Sequence, residues 1–478
     1  MDAAQPNRVN SGLGEAGPDV NRASTHEVLQ ASAAKRGERA LMRKVMEAVV
    51  EASNLNRAYR RVKANRGAPG ADGMNVDELG VWCRANKHEL IDSLVEGRYR
   101  PQPIRGVQIP KPGGGVRQLG IPTVIDRLVQ QALLQVLEPI LEPHFSDHSY
   151  GFRPGRSAHQ CLRQGQAYVA EGRGVVVDID LEKFFDRVNH DVLLARLARH
   201  VADERVLKLV RRFLEAGMFR HGLEVARHEG TPQGGPLSPL LANLLLTDLD
   251  RELERRGHAF CRYADDCNIY VYSMRSGERV MASVQRFLET ELRLKVNRAK
   301  SAVAAVASRK FLGYRITAQG RLEVAPQSVA RLKAALRGLS ARSRGVSLER
   351  MIEQINERCR GWGHYFGLAY YTAAFQRLDE WLRRRLRCVK LKQCKRALGI
   401  ARFLQAQGVP EWAAWLLACS GKGWWRLANS PQAARAMPNR WFDGLGLLSF
   451  AAQHAALHPL RKPPDTLSMS GGVGGRLA

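Results

Sequence analysis

The chain has 478 residues, 45% of them hydrophobic, enough for roughly two to four cored domains. Its 74 Lys and Arg against 46 Asp and Glu give a formal charge of +28. Self-repulsion of that size favours a nucleic-acid partner over an acidic protein or a membrane. No apolar run reaches the roughly 20 residues that span a bilayer, and the start Met1-Asp2-Ala3-Ala4-Gln5 lacks the regions of a secretory signal. Eight scattered cysteines, none at zinc-knuckle spacing, read as reduced thiols, so a cytoplasmic protein acting at the nucleoid is expected.

Residues 1–38, rich in Ala, Gly, Asn and Ser, read as a flexible arm. Apolar Leu41, Val45, Val49, Leu55 and Ala58 predict one helix from Leu41 to Ala64. A turn-rich loop, Asn65 to Gly73, closes it. Ile109-Pro110-Lys111 and Arg117 to Thr123 flank Gly113-Gly114-Gly115, the pattern of a hairpin with basic ends. Val175-Val176-Val177 reads as a buried strand leading into Asp178-Ile179-Asp180 and Phe184-Phe185-Asp186. In a strand Asp178 and Asp180 share a face. Asp178 and Asp186 read either as members of a carboxylate cluster or as a solvated strand end or helix cap before Leu181 to Val188.

Further along, Gly230-Thr231-Pro232-Gln233-Gly234-Gly235 precedes a helix that Pro236 and Ser238 can start. Gly234 and Gly235 allow close backbone approach to nucleic acid, and Gln233 offers an amide to a base or sugar. Tyr263-Ala264-Asp265-Asp266 lies between the apolar runs Ala259-Phe260-Cys261 and Ile269-Tyr270-Val271, so it reads as strand, acidic turn, strand. A hairpin tip with two adjacent carboxylates makes a hard-cation site. With Asp180 from a neighbouring strand it becomes a three-carboxylate site that holds Mg²⁺ through few protein ligands plus substrate phosphates. Nucleotidyl transfer uses two such ions about 3.5–4 Å apart.

From Pro326 the chain turns helical and basic, with 17 Lys and Arg against 5 Asp and Glu between Arg331 and Ile400. Val329-Leu332-Leu336-Leu339 and Met351-Ile352-Ile355 are its apolar stripes. The run Arg360-Gly361-Trp362-Gly363-His364-Tyr365-Phe366-Gly367 interleaves rings with charge, and Trp381 precedes Arg383-Arg384-Arg385 and Arg387. These suit structured RNA; the alternatives are a core stripe of rings and a solvated basic helix. The final Trp412, Trp424-Trp425 and Trp441-Phe442 either stack single-stranded bases or pin the tail, and after Leu460 disorder is expected.

These blocks resemble, in order from about Leu41 to Phe450, the reverse transcriptases encoded by group II introns, the intron maturases. Asp180 to Asp186 is similar to the family's first catalytic motif, Tyr263 to Asp266 to its second, and Gly230 to Asn243 to its template and nucleotide contact. Ser149-Tyr150-Gly151-Phe152-Arg153-Pro154-Gly155-Arg156-Ser157 is a further family block, and Arg360 to Tyr371 resembles the maturase-specific thumb. The resemblance implies an α+β fold: a right-hand polymerase with antiparallel sheet in fingers and palm, followed by an α-helical thumb/maturase domain. The implied division is 1–38 arm, 39–325 fingers and palm, 326–409 thumb/maturase domain, and 410–478 C-terminal nucleic-acid-binding extension.

It also implies roles. Asp180, Asp265 and Asp266 hold two Mg²⁺, with Mn²⁺ as the substitute, and Lys300 protonates the leaving pyrophosphate. Lys111, Arg117, Phe185, Gln233 and Gly234 bind the nucleotide, with Phe185 as the aromatic floor that excludes a 2′-hydroxyl. Phe311-Leu312-Gly313-Tyr314 grips the primer, with Gly313 close to its backbone. Arg360, Arg383, Arg384, Arg385 and Arg387 bind RNA. Two departures stand out: Gln118 in place of a usual Pro, expected to loosen a turn beside Arg117, and Glu182-Lys183 for a Lys-Gly pair.

The implied partners are the group II intron RNA, a DNA target and primer, and deoxynucleoside triphosphates, with no membrane and with monomer or homodimer open. No endonuclease block with Cys and His pairs follows Gly421, so the primer must come from elsewhere. The implied function is RNA-directed DNA synthesis and intron splicing assistance during retrohoming. The alternatives are a host-domesticated or defence-type reverse transcriptase without splicing duty, and a non-catalytic RNA-binding chaperone.

Overall fold

The structure is a computed structural model that describes residues 44–110, 114–220, 223–225, 229–232 and 234–458. It opens with α1 (Val45–Val50), α2 (Ala52–Ala64), α3 (Leu79–Val95), β1 (Ile104–Pro110), β2 (Val116–Ile121), α4 (Val124–Leu141), α5 (Ala158–Ala170) and β3 (Val175–Ile179). There follow α6 (His190–Leu197), α7 (Glu204–Glu215), β4 (Met218–Arg220), β5 (Leu223–Val225), α8 (Ser238–Arg255), β6 (Ala259–Tyr263), β7 (Asp266–Val271), α9 (Met274–Thr290), β8 (Ala302–Ala305), β9 (Tyr314–Ile316) and β10 (Leu322–Val324). Helices alone complete it: α10 (Pro326–Leu339), α11 (Leu348–Tyr365), α12 (Ala373–Gln393), α13 (Ala397–Ala406), α14 (Glu411–Ala418), α15 (Trp424–Leu427), α16 (Pro431–Ala436), α17 (Asn439–Gly444) and α18 (Phe450–Leu457). Mostly antiparallel sheets followed by a helical region give the expected α+β class.

Two compact units each combine three chain segments. The described parts of Met1–Asp147, Leu181–Arg251 and Arg286–Val296 form the first; those of His148–Asp180, Glu252–Gln285 and Asn297–Ala478 form the second.

In the first unit the sheet order is β2-β1-β4-β5. The β1–β2 hairpin runs from Arg105↔Ile121 to Pro110↔Val116, and Gly114 and Gly115 turn it with positive φ. Gln118 pairs with Gln108 inside β2, so it belongs to the strand and not to the turn expected beside Arg117. The stretch predicted as one helix is two, because Glu51 adopts an extended ψ of 135°. Asn54 makes the break tolerable: its buried amide donates to the Val49 carbonyl at 2.9 Å and to that of Ala132 at 3.1 Å. Leu41 lies outside the described residues.

Asp126 is buried near the start of α4. One carboxyl oxygen accepts from the Tyr99 hydroxyl, the other from the Thr123 hydroxyl and the Gln102 N–H. Burial outweighs these three donors and pushes its carboxyl up to about 6. Folding therefore favours the protonated form: stability falls as pH rises from about 4 to about 6, and the full penalty stays above 6. Asp126→Asn can keep all three contacts, its oxygen toward Thr123 and Gln102 and its amide donating to Tyr99. It is expected to stabilise this unit by up to roughly 3 kcal/mol at pH 7.5, with the gain vanishing toward pH 4. Thermal unfolding across that range checks it, and a pH-independent loss of stability would overturn it.

The second unit is built on a sheet of order β6-β7-β3-β8 in which every pair is antiparallel. Gly165 of α5 sits where a Cβ would lie 2.5 Å from the Tyr270 hydroxyl of β7. The predicted stripes of α10 and α11 enter one apolar cluster: Leu332, Leu336, Met351, Ile352 and Ile355 are buried there with Leu378, Leu382 and Leu386 of α12. Trp362 joins them, its ring centroid 4.5 Å from Phe366 and 5.4 Å from Phe450. Those rings are core, as is Phe442, whereas Tyr370 and Tyr371 are exposed beneath the Arg321 guanidinium. Among the described residues no helix is long and apolar enough to cross a membrane.

Candidate active site

β6 and β7 form a hairpin in which Tyr263 pairs with Asp266, so Ala264 and Asp265 make a two-residue turn. Ala264 has φ +59°, the first central position of a type II′ turn. Arg262, fully buried, donates from Nη1 to the Ala264 carbonyl at 2.9 Å and locks that conformation. A strap lies alongside: the Arg262 N–H donates to the His148 carbonyl and the Tyr150 N–H to the Arg262 carbonyl, both at 2.9 Å. Gly151 then passes so close that a Cβ would fall 2.3 Å from the Ala264 nitrogen. This support had no sequence signal beyond the family block.

β3 pairs with β7 through Asp178↔Asn268 and Ile179↔Cys267, which carries Asp180 to the end of the strand beside Asp266. The Asp180 N–H donates to Ser301 Oγ at 2.9 Å, and its carbonyl accepts from the Asn297 N–H at 2.8 Å. Lys300, in the same turn, places Nζ 3.4 Å from Asp180 Oδ2. Asp178 is a different kind of carboxylate. Arg309 donates to one of its oxygens from Nε at 2.8 Å and Nη2 at 2.5 Å, so Asp178 is an ion-pair partner at a strand end.

Asp178, Asp180, Asp266 and Lys300 line a cavity of about 740 Å³ whose remaining wall includes Arg309, Lys310, Arg315 and Arg331. Phe311, Leu312 and Gly313 of the predicted primer-gripping turn line it too. Leu312 and Gly313 both have positive φ, and Gly313 packs against Phe366 and Ser328, each 3.2 Å from where a Cβ would be. Its close approach in the structure is therefore to protein.

Partial withdrawal from water, then the carboxylates of Asp265, Asp180 and Asp178, push Asp266 up to about 6, with Lys300 acting the other way. Its side chain stays open to the cavity. Among the described residues no three His, Cys, Asp or Glu side chains stand close enough to hold a metal by themselves. The expected three-carboxylate site is thus not a closed cage: like charges repel, and Asp180 leans on Lys300. The donors nevertheless fit a hard divalent cation, with oxygen ligands, crowded negative charge, and an adjoining cavity where phosphates can supply further ligands.

In the first unit the Gly230 loop closes on the Phe185 turn. The Thr231 N–H donates to the Phe185 carbonyl at 2.6 Å and the Gly230 N–H to the Val188 carbonyl at 2.8 Å. Residues 184–186 are a single 3-10 turn where a helix was the alternative. Phe184 is buried, and Phe185, edge-on to it at 5.1 Å, is half-buried with surface left to contact a ligand. Gly234 has φ +131°, and a Cβ there would lie 2.4 Å from the Gly120 carbonyl oxygen of β2. That glycine is required by the protein's own backbone, not only by an approaching nucleic acid. Arg117 is exposed on β2. Lys111 and Gln233 lie outside the described residues.

The basic helix α12 divides its arginines. Arg385 donates to Ser340 Oγ at 2.7 Å and to the Arg337 and Ser340 carbonyls, the open end of α10, and Arg387 donates twice to the Met437 carbonyl. These two brace the fold. Arg360 is exposed on α11, while Arg383 and Arg384 border a cavity that Arg387 also lines, and Arg384 holds the Trp425 carbonyl as Arg387 holds that of Met437. All eight cysteines are free thiols.

Residues 109–316 match the family of reverse transcriptases (RNA-dependent DNA polymerases), and residues 329–406 match the group II intron maturase-specific domain. Protein YkfC of Escherichia coli is 33% identical over 316 residues, which cover 58% of this chain and 83% of that protein. The group II intron-encoded protein LtrA of Lactococcus lactis is 37% identical over 195 residues, 41% of this chain and 32% of LtrA. The 91 kDa protein in the cob intron of Schizosaccharomyces pombe is 36% identical over 210 residues, 41% of this chain and 24% of its own length. The chain thus spans about a third or less of those two intron proteins. The reverse transcriptase match holds the carboxylate hairpin and the acidic strand end beside it, the maturase-specific match follows it in the chain, and the chain belongs to the reverse transcriptases that carry a group II intron maturase domain.

Proposed function

We propose that this chain extends a DNA primer on an RNA template and binds a group II intron RNA whose splicing it assists. The observation that carries the first half is the cavity in which Asp180, Asp266 and Lys300 face a basic wall and the Phe311–Gly313 turn. Asp180, Asp265 and Asp266 are the residues that would hold two Mg²⁺, which when bound supply charge neutralisation at the attacking 3′-oxygen and the pyrophosphate. Lys300, its Nζ 3.4 Å from Asp180 Oδ2, is the residue that would give a proton to the leaving pyrophosphate. Arg309, Lys310, Arg315 and Arg331 attract the phosphodiester strand that the Phe311–Gly313 turn positions.

Arg117 and Lys111 meet the triphosphate, Gln233 and Gly234 the nucleotide, and Phe185 its sugar. Phe185→Ala is expected to raise ribonucleotide incorporation by roughly tenfold or more, since a lost steric wall is worth that much. Unchanged sugar discrimination in a nucleotide competition assay would remove this role.

Fingers and palm then occupy 39–325, the thumb 326–409 and the extension 410–478. Splicing chemistry belongs to the RNA; the protein stabilises the folded intron by binding it. Arg360, Arg383 and Arg384 make that contact, while Arg385 and Arg387 hold their helix in place for it. The test has two parts: deoxynucleotide incorporation on an RNA template with an annealed DNA primer, with and without divalent cation, and binding to the intron RNA flanking the gene. Extension without intron binding would favour a reverse transcriptase with a host role; binding without extension would favour an RNA chaperone.

A further inference from the structure

A second cavity, about 870 Å³, opens within the second unit where α12 meets the C-terminal helices. That size lies in the range of small-ligand pockets, roughly 300–1,000 Å³. Four guanidiniums line it, Arg377, Arg383, Arg384 and Arg387, against two carboxylates, Asp379 and Glu380. Asp379 is committed elsewhere: it accepts from Ser449 Oγ and from the Phe450 and Ala451 N–H groups at the start of α18. None of the four arginines forms an ion pair among the described residues. Arg384 and Arg387 each hold a backbone carbonyl with Nε and Nη2, which leaves Nη1 for a ligand. Arg383 Nε is buried without any partner. Concentrating positive charge in a recess is unfavourable unless an anion enters it.

The rest of the lining is suited to a base. Trp425 is 41% exposed, with the Arg384 guanidinium 4.1 Å from its ring centroid. Gln376, Asn429 and Asn439 line the same recess, and no side-chain hydrogen bond within the described residues engages their amides. Each amide offers a donor and an acceptor, the pair that a base edge requires. A surface of aromatic ring, guanidinium plane and open amides is the chemistry by which proteins hold a base splayed out of a strand. A stacked duplex presents phosphates but no free base face, so it can satisfy only half of this lining.

We propose that this cavity captures one unpaired nucleotide of an RNA strand, its phosphate on Arg383 and Arg384 and its base against Trp425 and the neighbouring amides. This rests on the RNA-binding half of the proposed function and adds to it a single-stranded contact outside the palm.

The test is photo-cross-linking of the full chain to a single-stranded octaribonucleotide carrying 4-thiouridine, with cross-linked peptides mapped by mass spectrometry. The expected result is a cross-link in the peptide carrying Trp425 and Asn429, at least tenfold weaker in Trp425→Ala and in Asn429→Asp, and at background when the octamer is annealed to its complement. Asn429 is exposed, so Asn429→Asp adds a charge that repels phosphate without disturbing the core; its melting curve verifies this. Cross-links elsewhere but none here, an equal yield from the duplex, or full yield in a folded Asn429→Asp protein would each overturn the proposal. So would competition by micromolar uridine monophosphate, which would make the ligand a free nucleotide. Binding of the same wild-type preparation to the intron RNA flanking the gene separates the two readings. A cross-link without intron binding removes the intron reading and leaves the pocket, and intron binding without the cross-link does the reverse.

Discussion

Asp266→Asn is expected to lower RNA-templated primer extension by roughly a thousandfold while leaving the metal-free protein as stable as wild type, or more so. The two effects have one origin. Partial withdrawal from water, then crowding by Asp265, Asp180 and Asp178, raises the Asp266 carboxyl to about 6, so in the absence of a cation its charge opposes folding. Removing that charge relieves the repulsion. A bound divalent cation, however, draws its affinity from the same charge, and loss of a ligand at a nucleotidyl-transfer site costs several kcal/mol of transition-state stabilisation, at 1.36 kcal/mol per tenfold. Melting with and without Mg²⁺ supplies the readout independent of activity. Wild type should melt at a higher temperature as Mg²⁺ is added, by ligand linkage, and Asp266→Asn should respond far less. Wild-type extension by the variant, or an undiminished Mg²⁺ shift, would remove Asp266 from the metal site.

Gly151→Ala is expected to cut extension about a hundredfold although residue 151 carries no chemistry. The added Cβ would meet the Ala264 nitrogen at 2.3 Å, the Tyr263 carbonyl carbon at 3.0 Å and the Ala264 Cα at 3.1 Å, all backbone atoms. No side-chain rotamer can relieve that contact; the turn that presents Asp265 must move. A displacement of about 1 Å in a reacting geometry costs about a hundredfold, whereas overpacking costs only about 1–3 kcal/mol of stability. The variant should therefore remain folded, with its Mg²⁺ dependence shifted to higher concentration. Arg262 and the strap from His148 to Tyr150, which runs directly into Gly151, hold the same turn, so the structure has little slack there. A Gly151→Ala protein that polymerises at the wild-type rate would show that the hairpin yields without losing its geometry.

Much of this was legible because local pattern and chemistry coincide. The hairpin around Asp265 announces itself by apolar runs on either side of an acidic pair, and α10 and α11 by stripes that reach the core as read. What stayed hidden depends on distant partners. Asp178 and Asp180 look alike in a strand and both line the cavity; only their distant partners tell them apart, Arg309 gripping one oxygen of Asp178 with two donors while Lys300 lies 3.4 Å from Asp180. Gly234 reads as room for nucleic acid until Gly120 is found against it. Arg384, Arg385 and Arg387 are indistinguishable by composition from Arg383; carbonyls at Trp425, Ser340 and Met437, distant in sequence, give those three a bracing contact. The break at Glu51 was missed because helical periodicity continues across it, with Asn54 satisfying the carbonyl left open.

The interleaving of the two compact units sets an order on synthesis. The first unit needs the segment Arg286–Val296 for completion, although α1 to α4 all precede Asp147. At the usual pace of roughly 5–20 residues per second, the first unit waits on the order of ten to thirty seconds after Asp147 for its last segment. The nascent chain consequently passes through a long stage in which the first unit is incomplete and the second has only begun. A ribosome stalled anywhere before Val296 releases a fragment with neither unit whole, a substrate for chaperones and proteases rather than a smaller working polymerase.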